Sequence, residues 1–400
     1  MNPVIVLDGN NKSALAVVRS LGMQNREVYA GAERSSAMSL HSRYVTESFT
    51  YPSPYSDRVG FVTAIVALAS RCSSPPVLYA LSEATYLALY DARAEFDGIA
   101  LLSTPPQISV EIAFDKVATH GEAKVHGVPV VKTHLVTNRA EVEALAKTLT
   151  YPAVVKPRRS VSYKAGRGVQ DTASFVHTPE ELLGKFFSLR DQSGEEPIIQ
   201  PFMKGEEYGF SVLAHDGSVF AESAHHRIRS LAPTGGASVV KETLTEGSVF
   251  SNMRSCAYTL TKALAWSGPM MFEFKVDSDT QQPQLMEING RWYGSLPLAI
   301  AGGVDLPWLY YQYLTAGVIP EDVAKIQSEV VTRHWLGDVR HLFSVLTKRD
   351  KMRAHLYPSR QMALRDFWQT QPGTKSDVWR WRDPLPAVWE VLDSIAKLWK

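Results

Sequence analysis

Two segments, PMMFEFKVDS and LMEINGRWYGS, separated by the polar, turn-rich TQQPQ, constrain this chain more than any other feature. Strand side chains alternate between faces. With the connection centred near Thr280, the segments predict an antiparallel hairpin with Phe272, Phe274, Val276, Met286 and Ile288 on one apolar face. Glu273, Glu287, Asn289 and Arg291 then share the opposite face, with Glu273 directly across from Glu287. Like charges opposed across a ladder destabilise it. Because the other face is already core, the two carboxylates need something positive between them. Two carboxylates and an amide oxygen are hard ligands suited to Mg2+ or Mn2+, and magnesium combines few protein carboxylates with phosphate oxygens and water. The hairpin therefore reads as a platform for metal and phosphate. An ordinary half-exposed strand, with Glu287 paired to Arg291 or Lys275, satisfies the same pattern.

A second element points the same way. Lys156 stands at the tip of the apolar strand AVVKP, and the RRSVSYKAGRGVQ that follows is basic and carries Gly166 and Gly168. Such a loop can fold over phosphates, its glycines letting backbone N–H groups approach closely. It is not a Walker loop, since GxxxxGK[ST] is absent, and a mobile basic surface loop would look similar.

The N-terminal part alternates. PVIVLDG reads as a buried parallel strand, KSALAVVRSLG as a helix stopped by Gly22, and EVYAGA as a second strand. A helix around Phe61 to Ser70 and a strand near Pro76 to Leu81 continue a Rossmann-like pattern. The turn DGNNKSA lacks GxGxxG, which argues against a dinucleotide there. Pro105 and Pro106 mark a boundary, and a second unit begins near Ser109. Asn138 with Glu141, and Thr178 with Pro179 and Glu181, are helix-start signatures. Asp216-Gly217 suits a hairpin turn. Beyond about Ile319, scattered Trp, Arg and Leu suggest amphipathic helices packed on the body.

At 400 residues, two or three domains are expected, and 45% hydrophobic with 21% charged residues is the balance of a globular protein. A net charge of +1, from 42 basic and 41 acidic residues, gives no overall field for nucleic acid or a membrane surface. Cys72 and Cys256 lack a CxxC partner or a neighbouring His, so neither a disulfide framework nor a zinc site is suggested. The start MNPVIVLDGNNKSA has no basic n-region, and no window reaches the roughly 18 apolar residues of a spanning helix, so a cytoplasmic location is expected.

Taken in order, FDKVATHGEAKVHGVPV, YPAVVKP, SVSYKAGRGV, IIQPFMKGEEYGFSVL, MFEFKV and MEINGR resemble the ATP-grasp superfamily. The type is that of carboxylate–amine ligases with a carbamoyl-phosphate-synthetase-like core. The resemblance implies mixed α/β and α+β architecture. A Rossmann-like domain is expected over residues 1–108, an ATP-grasp domain over 109–317, and a mostly helical extension over 318–400. Within the ATP-grasp domain, a lid would span about 126–202 and a metal/ATP part about 203–317. It further implies that Lys116 and Lys156 contact ATP phosphates and that the loop from Ser160 to Gly168, with Gly166, closes over them. Glu273, Glu287 and Asn289 would be the magnesium (or manganese) ligands, and Arg291 would steady the transferred phosphate. Glu207 would accept from the ribose hydroxyls, and Gln200, Phe202 and Met203 would line the adenine. Family members often carry an acid where Gln200 stands. Arg227 is expected near the terminal phosphate and His225 near a carboxylate, although His225 and His226 also suit a strand end with one ring packed and one exposed. The implied activity is ATP-dependent joining of a small carboxylic acid to an amine, with no nucleic-acid or membrane partner and with homodimerisation left open. A non-catalytic ATP-binding regulator is the alternative.

Overall fold

The computed structural model describes residues 1–164, 167–170, 172–233, 235–347, 357–369 and 371–398. Short apolar runs make the first sheet: β1 (Val4–Val6), β2 (Val28–Ala32), β3 (Glu47–Thr50) and β4 (Val77–Tyr79), all parallel in the order β3-β2-β1-β4. The Rossmann-like alternation holds, with one correction. Gly22 does not stop the first helix, which runs Lys12–Met23. The left-handed residue just beyond it is Asn25, at φ 56°. Gly22 instead makes room for Tyr44, whose Cβ would lie 2.4 Å from a Cβ at that position.

The middle of the chain folds around a separate small core. Strands β5 (Ala153–Lys156), β8 (Ser174–Val176) and β9 (Ile198–Pro201) form an antiparallel sheet in the order β8-β5-β9, while β6 (Val161–Lys164) and β7 (Arg167–Gln170) pair with each other. Helices Arg139–Thr148 and Pro179–Ser193 cover this sheet, each started by the cap that the sequence announces: Asn138 accepts from Glu141 N–H and Thr178 from Glu181 N–H. Val142, Val155, Leu182, Phe186 and Ile199 fill the space between.

A seven-stranded sheet forms the rest, in the order β14-β13-β10-β11-β12-β15-β16. Its strands are β10 (Gly205–His215), β11 (Ser218–Ala232), β12 (Gly235–Leu244), β13 (Gly268–Asp277), β14 (Pro283–Asn289), β15 (Val331–Arg333) and β16 (Lys375–Ser376). Asp216 and Gly217 turn the β10–β11 hairpin with φ of 46° and 77°, both left-handed as a tight two-residue turn requires. The C-terminal extension is mostly helical, as expected, with helices Trp335–Thr347, Arg360–Trp368 and Leu385–Leu398. It also adds β15 and β16 to the sheet edge, strands too short to leave a periodic signal. The inner face of β13 buries Phe272 and Phe274 completely, each contributing about 1.5–3 kcal/mol. The core is shared between sheets: Val4, Val17 and Tyr79 pack in one cluster with Trp292 and Leu296. Among the described residues, no helix is long and apolar enough to cross a membrane.

Candidate functional site

The β13–β14 hairpin sets the floor of a cleft of about 890 Å³. Glu273 and Glu287 are direct cross-strand partners, as the period-two reading requires. Below them the pairing slips: Phe274 faces Leu285, so Met286 is an extra residue in β14. This bulge corrects the predicted apolar face. Leu285 takes the core position, fully buried, and Met286 lines the cleft instead. A second correction concerns length, because β14 ends at Asn289 and Arg291 lies in the following turn. Arg291 still reaches the acids' neighbourhood. Its Nη2 donates to Asn289 Oδ1 at 3.0 Å, and Asn289 Nδ2 donates to Glu273 Oε1 at 3.3 Å. Arg291 Nε is buried with no hydrogen-bond partner among the described residues.

Cations converge on the acid pair from three directions. Lys116 opens the helix Lys116–Val125, which Asp115 caps, and its Nζ lies 3.3 Å from Glu287 Oε2 and 3.1 Å from Ser160 Oγ. Lys156 ends β5 and lines the cleft; burial pushes its pKa down, opposed by Glu287. Arg227 stands on β11 directly across from Glu207, donates to Glu207 Oε2 at 2.5 Å, and reaches Glu273 Oε2 at 3.6 Å. Lys275 donates to the other Glu207 oxygen at 3.4 Å. Glu287 thus pairs with Lys116, neither with Lys275 nor with Arg291 as an ordinary strand would have it.

The two acids differ in their charge environment. Burial raises the pKa of Glu273, and Glu287 across the ladder adds to it, with Arg227 opposing. Burial also works against Glu287, but Lys116 and Lys156 outweigh it and hold its pKa below the ordinary value. Glu207 is lowered as well, because Arg227 and Lys275 overcome its burial.

On the far wall, Gln200, Phe202 and Met203 line the cleft beside Val154 and Phe175. Gln200 Nε2 donates to Thr133 Oγ1 at 2.9 Å, and the His120 ring lies 3.2 Å from the same hydroxyl and 2.9 Å from the Met286 carbonyl. Ser160 lines the cleft. Gly168 lies elsewhere, its N–H donating to the Tyr55 carbonyl at 2.6 Å, and Gly166 falls outside the described residues. His225 is buried over Gly209, where a Cβ would come within 2.2 Å of its ring, and Ser295 Oγ lies 3.4 Å away. His226 is the outer ring, paired with Glu242 at 2.9 Å.

Sequence reasoning missed Glu83. It begins the helix Glu83–Asp91, and its buried carboxylate accepts from Val161 N–H at 3.2 Å. Burial raises its pKa, with Arg291 and Lys116 opposing, so it faces the same cluster. A lone acid some 190 residues ahead of the hairpin leaves no spacing signal.

Among the described residues, no group of three or more His, Cys, Asp or Glu could hold a metal ion. The donor set of Glu273, Glu287 and Asn289 beside an open cleft nonetheless fits Mg2+, which keeps waters and phosphate oxygens rather than taking an all-protein cage. Asn289 Oδ1 has two lone pairs and can serve both Arg291 and a cation.

Residues 193–335 match a family model described as ATP-grasp in the biosynthetic pathway with Ter operon. The chain is 24% identical over 196 residues to the carbamoyl phosphate synthase large chain of Thermoanaerobacter sp. (strain X514), a match covering 48% of this chain and 18% of that one. It thus spans under a fifth of that relative's length. Its fold is similar to a biotin carboxylase–β,γ-ATP complex from Campylobacter jejuni, with a TM-score of 0.65, 15% identity, and coverage of 83% of this chain and 75% of that one. It is also similar to the L-amino acid ligase from Bacillus licheniformis, with a TM-score of 0.60, 17% identity, and coverage of 78% and 74%. The fold is thus similar to that of these solved structures, and residues 193–335 are similar to an ATP-grasp family.

Proposed function

We propose that this protein is an ATP-dependent ligase that activates a small carboxylic acid as an acyl phosphate and joins it to an amine. One observation carries the reading: two cross-strand glutamates sit on a cleft floor with Lys116, Lys156 and Arg227 converging on them. Acids so opposed are costly alone; Lys116 and Arg227 offset that cost, and the cleft beside them leaves room for a metal-bound phosphate. The likeness to an L-amino acid ligase supports an amine as the second substrate.

In this reading a substrate carboxylate oxygen attacks the γ-phosphorus of ATP and the bond to ADP breaks. The amine nitrogen then attacks the acyl carbon, phosphate leaves with the C–O electron pair, and the nitrogen loses a proton. Glu273, Glu287 and Asn289 would hold Mg2+, which would supply positive charge against the transferring group. Lys116 and Lys156 hold phosphate oxygens. Arg291 and Arg227 steady the charge on the moving phosphoryl group, for which a rigid fork of donors suits. Glu207 takes the ribose hydroxyls, and Gln200, Phe202 and Met203 flank the base. Ser160, on the cleft wall beside Lys116, helps to exclude water. No protein nucleophile is required.

The test is ADP release on mixing the protein with Mg-ATP and pools of amino acids or other small carboxylic acids. Hydroxylamine should trap the activated acid as a hydroxamate. Tight ATP binding with no ADP release across broad pools would overturn the ligase and favour the regulator.

A further inference from the structure

Behind Arg227 runs a chain of contacts that leaves the cleft and ends in the C-terminal extension. Arg227 Nε donates to Ser238 Oγ at 2.8 Å, and the Ser238 carbonyl accepts from Lys12 Nζ at 2.7 Å. Lys12 is the first residue of the first helix, brought to the sheet from far away in sequence. Its ammonium also donates to Asp377 Oδ2 at 2.9 Å. Asp377 follows β16 directly, and its N–H donates to the Arg333 carbonyl at 3.0 Å. The same carboxylate takes Lys241 Nζ at 2.9 and 2.6 Å, and both these side chains are wholly inaccessible. Lys241 is the cross-strand partner of Arg227.

We infer that Asp377 is a positioning residue for the ATP-dependent reaction: by fixing Lys12 against Ser238, it sets Arg227 toward Glu273 and Glu207. The inference rests on the ligase reading. A comparison within the molecule separates this role from simple fastening. Arg19 and Asp383, 2.8 Å apart and equally buried, tie the same first helix to the same extension but have no contact with Arg227 or Ser238. Without the Asp377 charge, Lys12 and the wholly buried Lys241 lose their shared counter-charge. Lys12, the less buried of the two, is the one free to leave.

The experiment compares Asp377→Asn, Ser238→Ala, their combination, and Asp383→Asn, each by melting temperature, by kcat and KM for ATP, and by calorimetric affinity for a non-hydrolysable ATP analogue. Asp377→Asn should lower kcat about tenfold or more, as loss of a supporting partner does. Asp383→Asn should lower the melting temperature and leave kcat unchanged. The double variant should be no slower than its slower parent, because both changes break one chain. If Asp377→Asn does not fold, Asp377→Leu with Lys241→Met removes the buried pair together and should show the same loss of kcat. Wild-type kcat in a folded Asp377 variant, or effects that multiply in the double variant, would overturn the inference. Absence of ADP release by the wild type would sink the ligase reading alone; the coupling would then be read from ATP affinity, where additive effects would overturn it.

Discussion

Lys116 Nζ sits 3.3 Å from Glu287 Oε2, so the residue that opens one helix neutralises an acid far along the chain. In the proposed function the same ammonium, which lines the cleft, receives a phosphate. Lys116→Met should therefore weaken binding of a Mg-bound ATP analogue about tenfold, the loss of one charge-assisted contact. Titration calorimetry reads this directly, and an unchanged Kd would remove Lys116 from the nucleotide site.

Glu287→Gln preserves shape while removing one of two opposed charges. ADP release should disappear. The fold should stay intact, but Lys116 loses its counter-charge, so the melting temperature should fall slightly, by up to about 4 °C. Turnover at the normal rate would contradict the metal role of this acid.

His225 gives the pH dependence. Burial drives its pKa well below the usual histidine value, with Arg227 and Lys241 adding to the shift. The unfolded chain takes up this proton near the ordinary value of about 6.5, whereas the folded protein does not until much lower pH. Stability should thus fall as pH drops below that point, by up to about 1.4 kcal/mol per pH unit from this group. Urea unfolding between pH 7 and 5 should show a shallower slope for His225→Gln; an identical slope would refute the assignment.

Gln200 bears on the choice of nucleotide. Its Nε2 is engaged by Thr133, which leaves the acceptor Oε1 for a base. An acceptor suits the amino group of adenine and repels the 6-oxo group of guanine. Affinity for ATP should exceed that for GTP by about tenfold or more, and competition between the two against a fluorescent nucleotide would measure it. Equal affinity would exclude side-chain reading of the base by Gln200.

The hairpin and its Glu273–Glu287 pair were legible by counting out from Thr280, but the pair holds only because the extra Met286 offsets a turn that sets Val276 against Pro283, one residue off that register. The bulge at Met286 was not legible, since alternation alone cannot mark an extra residue when Leu285 and Met286 are both apolar. Helix starts at Asn138 and Thr178 were announced by local hydrogen-bonding chemistry. Gly22 misled because a glycine that makes room for Tyr44 looks the same in sequence as one that ends a helix. Glu83, Lys12 and Asp377 were invisible for another reason. Each reaches its partners through tertiary packing across long stretches of chain, and a single charged residue carries no pattern of its own.

The stacking of Tyr79 on Trp292, with ring centroids 5.7 Å apart, ties the end of the first sheet to the residue next to Arg291. The N-terminal sheet is therefore no detachable cartridge. Grafting another protein's opening hundred residues onto this scaffold would unseat the arginine turn from behind, even with every cleft side chain left untouched.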